Sequence, residues 1–215
     1  MKEKLLLVGG GGHCKSCIDV ILEEGRFEIA GIVEGSNLPD GDRGRQVMGY
    51  PIIGTDDDLP ELVKLYPDFL ITIGQISGAD ARIRLFEHIL EIGGHFPVII
   101  SPYAHVSRSA VLGPGTIVMH QAVINSEARV GKNCIINTGA LVEHESVTGD
   151  HCHISTYAIL NGRCTVGSRT FIGSRAVLAN DVAIPHDTLI SAGSVVMKTL
   201  TEPGTYFGNP LRRIQ

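Results

Sequence analysis

The stretch that decides the fold is "VGKNCIINTGALVEHESVTGDHCHISTYAILNGRCTV", residues 130–166. Every sixth position in it is Val130, Ile136, Val142, Thr148, Ile154, Leu160 and Val166. The same step extends outward, from Val106 through Leu112, Val118 and Ile124, and on through Ile172, Leu178, Ile184 and Ile190 to Val196. Only Thr148 in this series is not aliphatic. Four places after most of these posts stands a small residue, as at Ala110, Ala122, Ala128, Cys134, Ala140, Ser146, Cys152, Ala158 and Cys164. A helix repeats near 3.6 residues and a two-faced strand at 2, so an unbroken period of six fits neither alone. It fits a three-sided coil in which each hexad supplies a short strand and a corner, with the aliphatic residue pointing inward and the small one relieving the turn. Three hexads close one turn, and turns stacked about 4.8 Å apart build a column roughly 25 Å tall. A β-sandwich would show turn signals at irregular spacing instead.

Before residue 100 the pattern changes. "KLLLVGGGGHCKSCIDVILEEGRFEIAGIVEG" reads as strand, glycine loop, helix and strand, "DDLPELVKLYPDFLITIG" as helix then strand, "ADARIRLFEHILEIGG" as a helix, and "HFPVII" as a last strand. Alternating strands and helices imply a parallel sheet with helical crossovers. The expected organisation is a Rossmann-like α/β domain over residues 1–100 and a parallel β-helix with a C-terminal cap over residues 101–215.

The chain has 215 residues, a formal net charge of -5 and 43% hydrophobic residues. That suffices for a buried core. Charges of both signs are interspersed, which disfavours nucleic acid and anionic membranes as partners. The apolar run in "MKEKLLLVGGGG" is too short for a signal sequence or membrane span, so a cytoplasmic location is expected. Five cysteines without framework spacing point to free thiols. Cys14 and Cys17 form C-x-x-C at a helix start, but with no second thioredoxin-like feature they are best read as helix residues.

"LVEHESVTGDHCHIS", residues 141–155, holds three histidines and three acidic residues. His144 lies two places after an inward post, beside a corner, and is expected to face outward. Glu143 and Glu145 flank it, and a carboxylate against one ring nitrogen would fix the tautomer of a base. Residues eighteen apart stack, so Ser126, His144, Gly162, Asn180 and Lys198 form a column in which Gly162 leaves room beside His144. For a metal, His151 and His153 would share one face of a strand while His144 falls on another wall, so no metal is expected. His120 and His186 could add ligands only across subunits, which leaves a β-helix zinc enzyme as a minor alternative.

"VGGGGHCK" follows a strand and opens a helix, a setting in which backbone N–H groups and the helix dipole hold phosphate. Gly10 and Gly12 fit the first two glycines of a dinucleotide fingerprint, but Lys15 occupies the third position. Lys15 can instead add charge for a diphosphate. Glu34, at the end of the second strand, is placed to accept from a ribose hydroxyl or a base edge.

The hexads, "VGGGGHCK", "NTGALVEHE", His153 nine places after His144, and the closing "GNPLRRI" together resemble the hexapeptide-repeat sugar O- or N-acyltransferases. That family includes bacterial enzymes that acetylate nucleotide-linked amino sugars and sialic acid, and the resemblance covers essentially the whole chain. It implies a left-handed β-helix, acetyl-coenzyme A as cosubstrate, and a homotrimer with sites at its interfaces. It further implies His144 as general base and Glu145 as its orienting partner. His153, Gly162, Ala192, Gly193 and Gly208 would face the cofactor. Gly10, Gly12, His13, Lys15, Glu34, Gly74 and Asn137 would face the substrate, His13 by reaching toward a neighbouring subunit. The acceptor would be an amino or hydroxyl group of a sugar, nucleotide-linked or, as in sialic acid transfer, free, in polysaccharide biosynthesis. A non-catalytic β-helix scaffold is the alternative from a different class.

Overall fold

The computed structural model describes residues 2–36, 45–76 and 78–214. The chain divides into two compact units, one of residues 1–74 with 80–99, the other of residues 75–79 with 100–215.

The first unit is built on a five-stranded sheet ordered β3-β4-β2-β1-β5. Strand β1 (Glu3–Val8) lies at its centre, with β2 (Phe27–Glu34) and then β4 (Tyr50–Thr55) on one side and β5 (Asp68–Ile71) on the other, all parallel. Leu5 to Val8 are buried on both faces of the sheet, the condition of a strand covered by helices. Helix α1 (Gly12–Glu24) buries Cys14, Cys17, Ile18 and Ile21, the i, i+3, i+4, i+7 stripe of a one-sided helix. It ends where Gly25 turns left-handed and donates its N–H to the Ile21 carbonyl. Helices α2 (Leu59–Leu65) and α3 (Asp80–Glu91) complete the layers, α3 burying Arg82, Leu85, Phe86 and Ile89.

The short strand β3 (Gln46–Val47) and β4 form an antiparallel ribbon. One local feature departs from the sequence reading. "HFPVII" does not add a strand to this sheet. His95 makes an isolated bridge with Asp68, Pro97 interrupts the segment, and Ile99–Ile100 instead begins one wall of the coil.

The second unit is a three-walled coil of two-residue strands, each paired in parallel with the strand eighteen residues on, as in Ile124 with Val142 and Val142 with Leu160. Wall I runs from His105–Val106 to Val195–Val196, and wall II from Val111–Leu112 to Ala183–Ile184. Wall III runs from Ile99–Ile100 to Leu189–Ile190 and is closed by Thr205–Phe207 and Arg212–Arg213. The six-residue posts and the small corner residues, including Ala122, Cys134, Ala140, Cys152 and Ala158, form one continuous interior. From Gly115 to Gly193 one residue at each corner adopts left-handed φ, among them Glu145, His151, Arg163 and Asp181. Conformations so costly for non-glycine residues recur because each is held by a hydrogen bond to the coil below.

Thr148, the one polar post, is 2% exposed and its Oγ1 has no hydrogen-bond partner. A buried hydroxyl without a partner costs free energy that an isosteric methyl does not. Thr148→Val is therefore expected to stabilise the fold by about 1 kcal/mol, which calorimetry would register as a melting temperature about 3 °C higher. A lower melting temperature would contradict this account.

Candidate active site

Four residues, Glu143 to Ser146, turn the chain from wall I to wall II. The backbone N–H of Glu145, at φ 60°, donates to the Ser126 carbonyl below, and that of Arg163 donates to the His144 carbonyl. These two bonds fix the corner and leave the His144 and Glu145 side chains directed outward. His144 and Glu145 side chains are 46% and 51% exposed, with Nδ1 of His144 3.1 Å from Oε2 of Glu145. A carboxylate only accepts, so Nδ1 carries the hydrogen and Nε2 presents its lone pair. The Glu143 carboxylate accepts from the His144 backbone N–H at 3.2 Å.

Gly162 stacks directly on His144. A Cβ built there would lie 2.6 Å from both Cε1 and Nε2 of the imidazole and 3.2 Å from Nδ2 of Asn180. The ring thus occupies the space that any other residue at 162 would fill. One coil further, the Arg163 guanidinium grips Asp181 through both carboxylate oxygens and holds that carboxyl below its usual range. Asp181 in turn raises the Arg163 pKa by the same hydrogen bonds, with a smaller contribution from Glu145.

His153 and Asn137 meet elsewhere, on wall III and at the corner from wall III to wall I. His153 is 6% exposed. Its Nδ1 donates to the Gln75 carbonyl at 2.7 Å, so Nε2 accepts from Nδ2 of Asn137 at 3.0 Å. His151 is not on the face of that strand. It sits at the preceding corner with φ 56°, 5% exposed, beside Nδ2 of Asn133 at 3.0 Å. The expectation that His151 and His153 share one strand face fails because the strand is only two residues long and alternation stops at the corner. Both side chains are buried. Ala192 and Gly193 are exposed at the corner between walls III and I, Gly193 at φ 69° with open space around it. Gly208 joins them through its N–H to Oγ of Ser194. His144 with Gly162, and Asn137 with Gly193, thus stand at opposite edges of wall I. Among the described residues no group of three or more His, Cys, Asp or Glu side chains is placed to share a metal ion.

The first unit gathers the other candidates at the carboxyl end of its sheet. From β1 successive strands run outward in opposite directions, which opens a crevice beyond the ends of β1 and β5. The glycine loop lies there. Gly10 is buried, and a Cβ on it would strike the Glu34 carboxylate, so Glu34 reaches across the loop. Gly12 has nothing within 4 Å of a built Cβ and opens α1, whose N-cap Gly11 has no side-chain cap. A Cβ built on Gly74 would lie 3.6 Å from the His13 Cβ, and Lys15 is exposed on the first turn of α1. Two residues that hold this end together escaped the sequence reading. Thr72 donates to the Val8 or Gly9 carbonyl, at 3.0 and 2.6 Å, tying β5 to the loop. The buried Arg82 donates to the carbonyls of Ile71 and Ile73 at 3.1 and 2.5 Å. An arginine on the apolar face of α3 was the signal for it. Burial pushes the Cys14 thiol up to about 11 and Cys17 higher still, so neither supplies a ready thiolate.

The family described as the PglD N-terminal domain matches residues 4–89, and the GMPPB C-terminal domain matches residues 95–203. UDP-N-acetylbacillosamine N-acetyltransferase of Bacillus subtilis (strain 168) is 32% identical over 119 residues, 54% of this chain and 51% of that protein. The chain thus spans about half the length of this curated relative. Perosamine N-acetyltransferase from Caulobacter crescentus was solved as a variant with one histidine changed to asparagine, in complex with CoA and GDP-perosamine. It is 32% identical with a TM-score of 0.90, over 99% of this chain and 97% of that one. The acetyltransferase domain of PglB from Neisseria gonorrhoeae FA1090, in complex with acetyl coenzyme A, is 28% identical with a TM-score of 0.89 over 100% of both chains. The fold is a Rossmann-like α/β unit followed by a left-handed parallel β-helix.

Proposed function

Because the chain belongs to the hexapeptide-repeat sugar acyltransferase family, we propose that it moves the acetyl group of acetyl-coenzyme A to the amino group of a nucleotide-linked amino sugar. The observation that carries this reading is the His144–Glu145 pair, exposed at a corner, with Nδ1 bound to the carboxylate and Nε2 left as a base. The amine attacks the thioester carbonyl while Nε2 of His144 takes its proton, and Glu145 stabilises the imidazolium that forms. A carbon–nitrogen bond forms, the carbon–sulfur bond breaks, and the proton passes from His144 to the departing thiolate. Transfer is direct, with no acyl-enzyme.

Gly162, Ala192, Gly193 and Gly208 are assigned to the coenzyme, the first by close backbone approach. His153 and its partner Asn137 are assigned to the acetyl and acceptor side of the pocket. The glycine loop, with Gly10, Gly12, His13, Lys15, Glu34 and Gly74, is assigned to the nucleotide diphosphate and its sugar.

The working form in this reading is a homotrimer. Wall I turns a column of aliphatic side chains outward, Val123, Leu141, Ile159, Val177 and Val195, each half-buried in the single chain. Such a face is of the kind subunits cover. It separates His144 from Asn137 and Gly193 within one chain, so a neighbour laid on it would bring complementary edges together. The reaction is placed in the cytoplasm, where it would prepare a modified sugar for transfer into a polysaccharide.

The test is an assay of thiol release with acetyl-coenzyme A and a panel of UDP-, GDP- and dTDP-linked amino sugars, with free sialic acid as the competing acceptor. Turnover with one nucleotide amino sugar is expected, by a species that sediments as a trimer. Turnover confined to the free sugar would overturn the nucleotide-linked reading, and no turnover with any acceptor would overturn the transfer itself.

A further inference from the structure

Glu145, Arg163 and Asp181 occupy the same corner position on three successive coils, at φ 60°, 60° and 61°. Backbone bonds set them in register, Arg163 N–H to the His144 carbonyl and Asp181 N–H to the Gly162 carbonyl. The column therefore stacks an anion, a cation and an anion. Arg163 stands between two carboxylates but gives its fork to one. Its Nε lies 2.6 Å from Oδ1 of Asp181 and its Nη2 lies 2.9 Å from Oδ2. Glu145 keeps Oε2 for Nδ1 of His144.

The corner between walls II and III supplies an internal comparison. There His186 and Asp187 repeat the histidine–carboxylate sequence of His144 and Glu145, and Arg169 lies one coil away. In that column Asp187 takes the arginine fork, Nε at 2.6 Å and Nη2 at 2.5 Å, and also Nδ1 of His186 at 2.6 Å. Its oxygen Oδ2 is shared between the guanidinium and the imidazole. A carboxylate beside a histidine is thus within reach of an arginine on the preceding coil in this fold. Both arginines reach to the carboxylate eighteen residues on; at His144 the arginine lies on the coil after the histidine's carboxylate, so its fork goes to Asp181 and Glu145 is left to the imidazole.

We propose that Asp181 is a positioning residue for acetyl transfer: by holding the fork of Arg163 it reserves the Glu145 carboxylate for the imidazole of His144. This rests on the function proposed above for His144. Planar bidentate pairing is what a guanidinium satisfies best, so an arginine released from Asp181 would turn to Glu145. Nδ1 of His144 would then share its acceptor, as His186 does, and the ring would lose the single orientation that aims Nε2.

Asp181→Asn tests this, since it keeps the shape of the side chain and removes one acceptor and the charge. In the thiol-release assay kcat is expected to fall about fivefold, the upper range for an exposed ion pair, with KM for the sugar unchanged. Adding Arg163→Gln removes the competitor, and the double variant is expected to regain kcat to within about twofold of wild type. A structural role for the pair would leave the double variant at least as impaired as the single one, which would overturn the proposal. A second readout needs no turnover. Nitrogen-15 NMR of the His144 ring should show hydrogen on Nδ1 in the wild type and in the double variant, and a weakened Nδ1 hydrogen bond in Asp181→Asn. An unchanged ring signal in Asp181→Asn would overturn the proposal. If the ring responds as expected but no acceptor is acetylated, the proposed function fails while the reservation of Glu145 stands.

Discussion

Replacing His144 with alanine is expected to lower kcat for acetyl transfer by about 10³-fold, within the range for loss of a general acid–base group. The fold should survive. The His144 side chain is 46% exposed, and the contacts that hold the corner use its backbone: its carbonyl accepts from Arg163 and its N–H donates to the Glu143 carboxylate. Alanine keeps both groups, and the left-handed φ at this corner belongs to Glu145 rather than His144. Thiol release measures the rate, and far-UV circular dichroism with sedimentation checks that the β-helix and its assembly are intact. Retention of kcat within about tenfold would exclude His144 as the base, since another group would then be carrying the proton.

Gly162→Ala is expected to reduce kcat by about 10²-fold, the cost typical of a catalytic group displaced by roughly 1 Å. The glycine is not required by backbone conformation, since its φ is not left-handed and the bond from Asp181 N–H to its carbonyl is open to any residue. It is required for space. The added Cβ would stand 2.6 Å from Cε1 and Nε2 of His144, well inside van der Waals contact. The ring is the end of an exposed side chain and can move, so the overlap is relieved by swinging the imidazole away from Glu145. Stability should change by less than about 1 kcal/mol while activity falls, because the overlap involves an exposed group and not the interior. Thermal melting alongside steady-state kinetics checks both halves. A variant with normal kcat would show that the ring over Gly162 is not the working geometry, and one that unfolds would place Gly162 in the core instead.

These two residues also show how much of the site could be read along the chain. The step of eighteen residues sets Gly162 beside His144, because a coil of three hexads brings i and i+18 together whatever the side chains are. The same arithmetic placed the inward posts, the small corners and the outward corner of His144. It did not locate His151 or His153. A period-two argument needs a strand longer than two residues, and here the chain turns at His151, so that side chain lies in a corner and His153 lies under the carbonyl of Gln75. Gln75 is 78 residues away from His153, and no local pattern connects them.

What the sequence determined by itself was the architecture and the column carrying His144: hydrophobic periodicity and stacking are local rules repeated many times, and their sum is unambiguous. The strand–glycine–helix run marked the crevice end of the first unit for the same reason. Tertiary structure alone decided which hydrogen bonds the polar side chains make. The tautomer of His153, the reach of Arg82 to the end of β5, and the choice of Arg163 between Glu145 and Asp181 each depend on competition among groups from distant positions. Such competitions turn on fractions of an ångström and on which partner is already taken, quantities that exist only once the chain is folded.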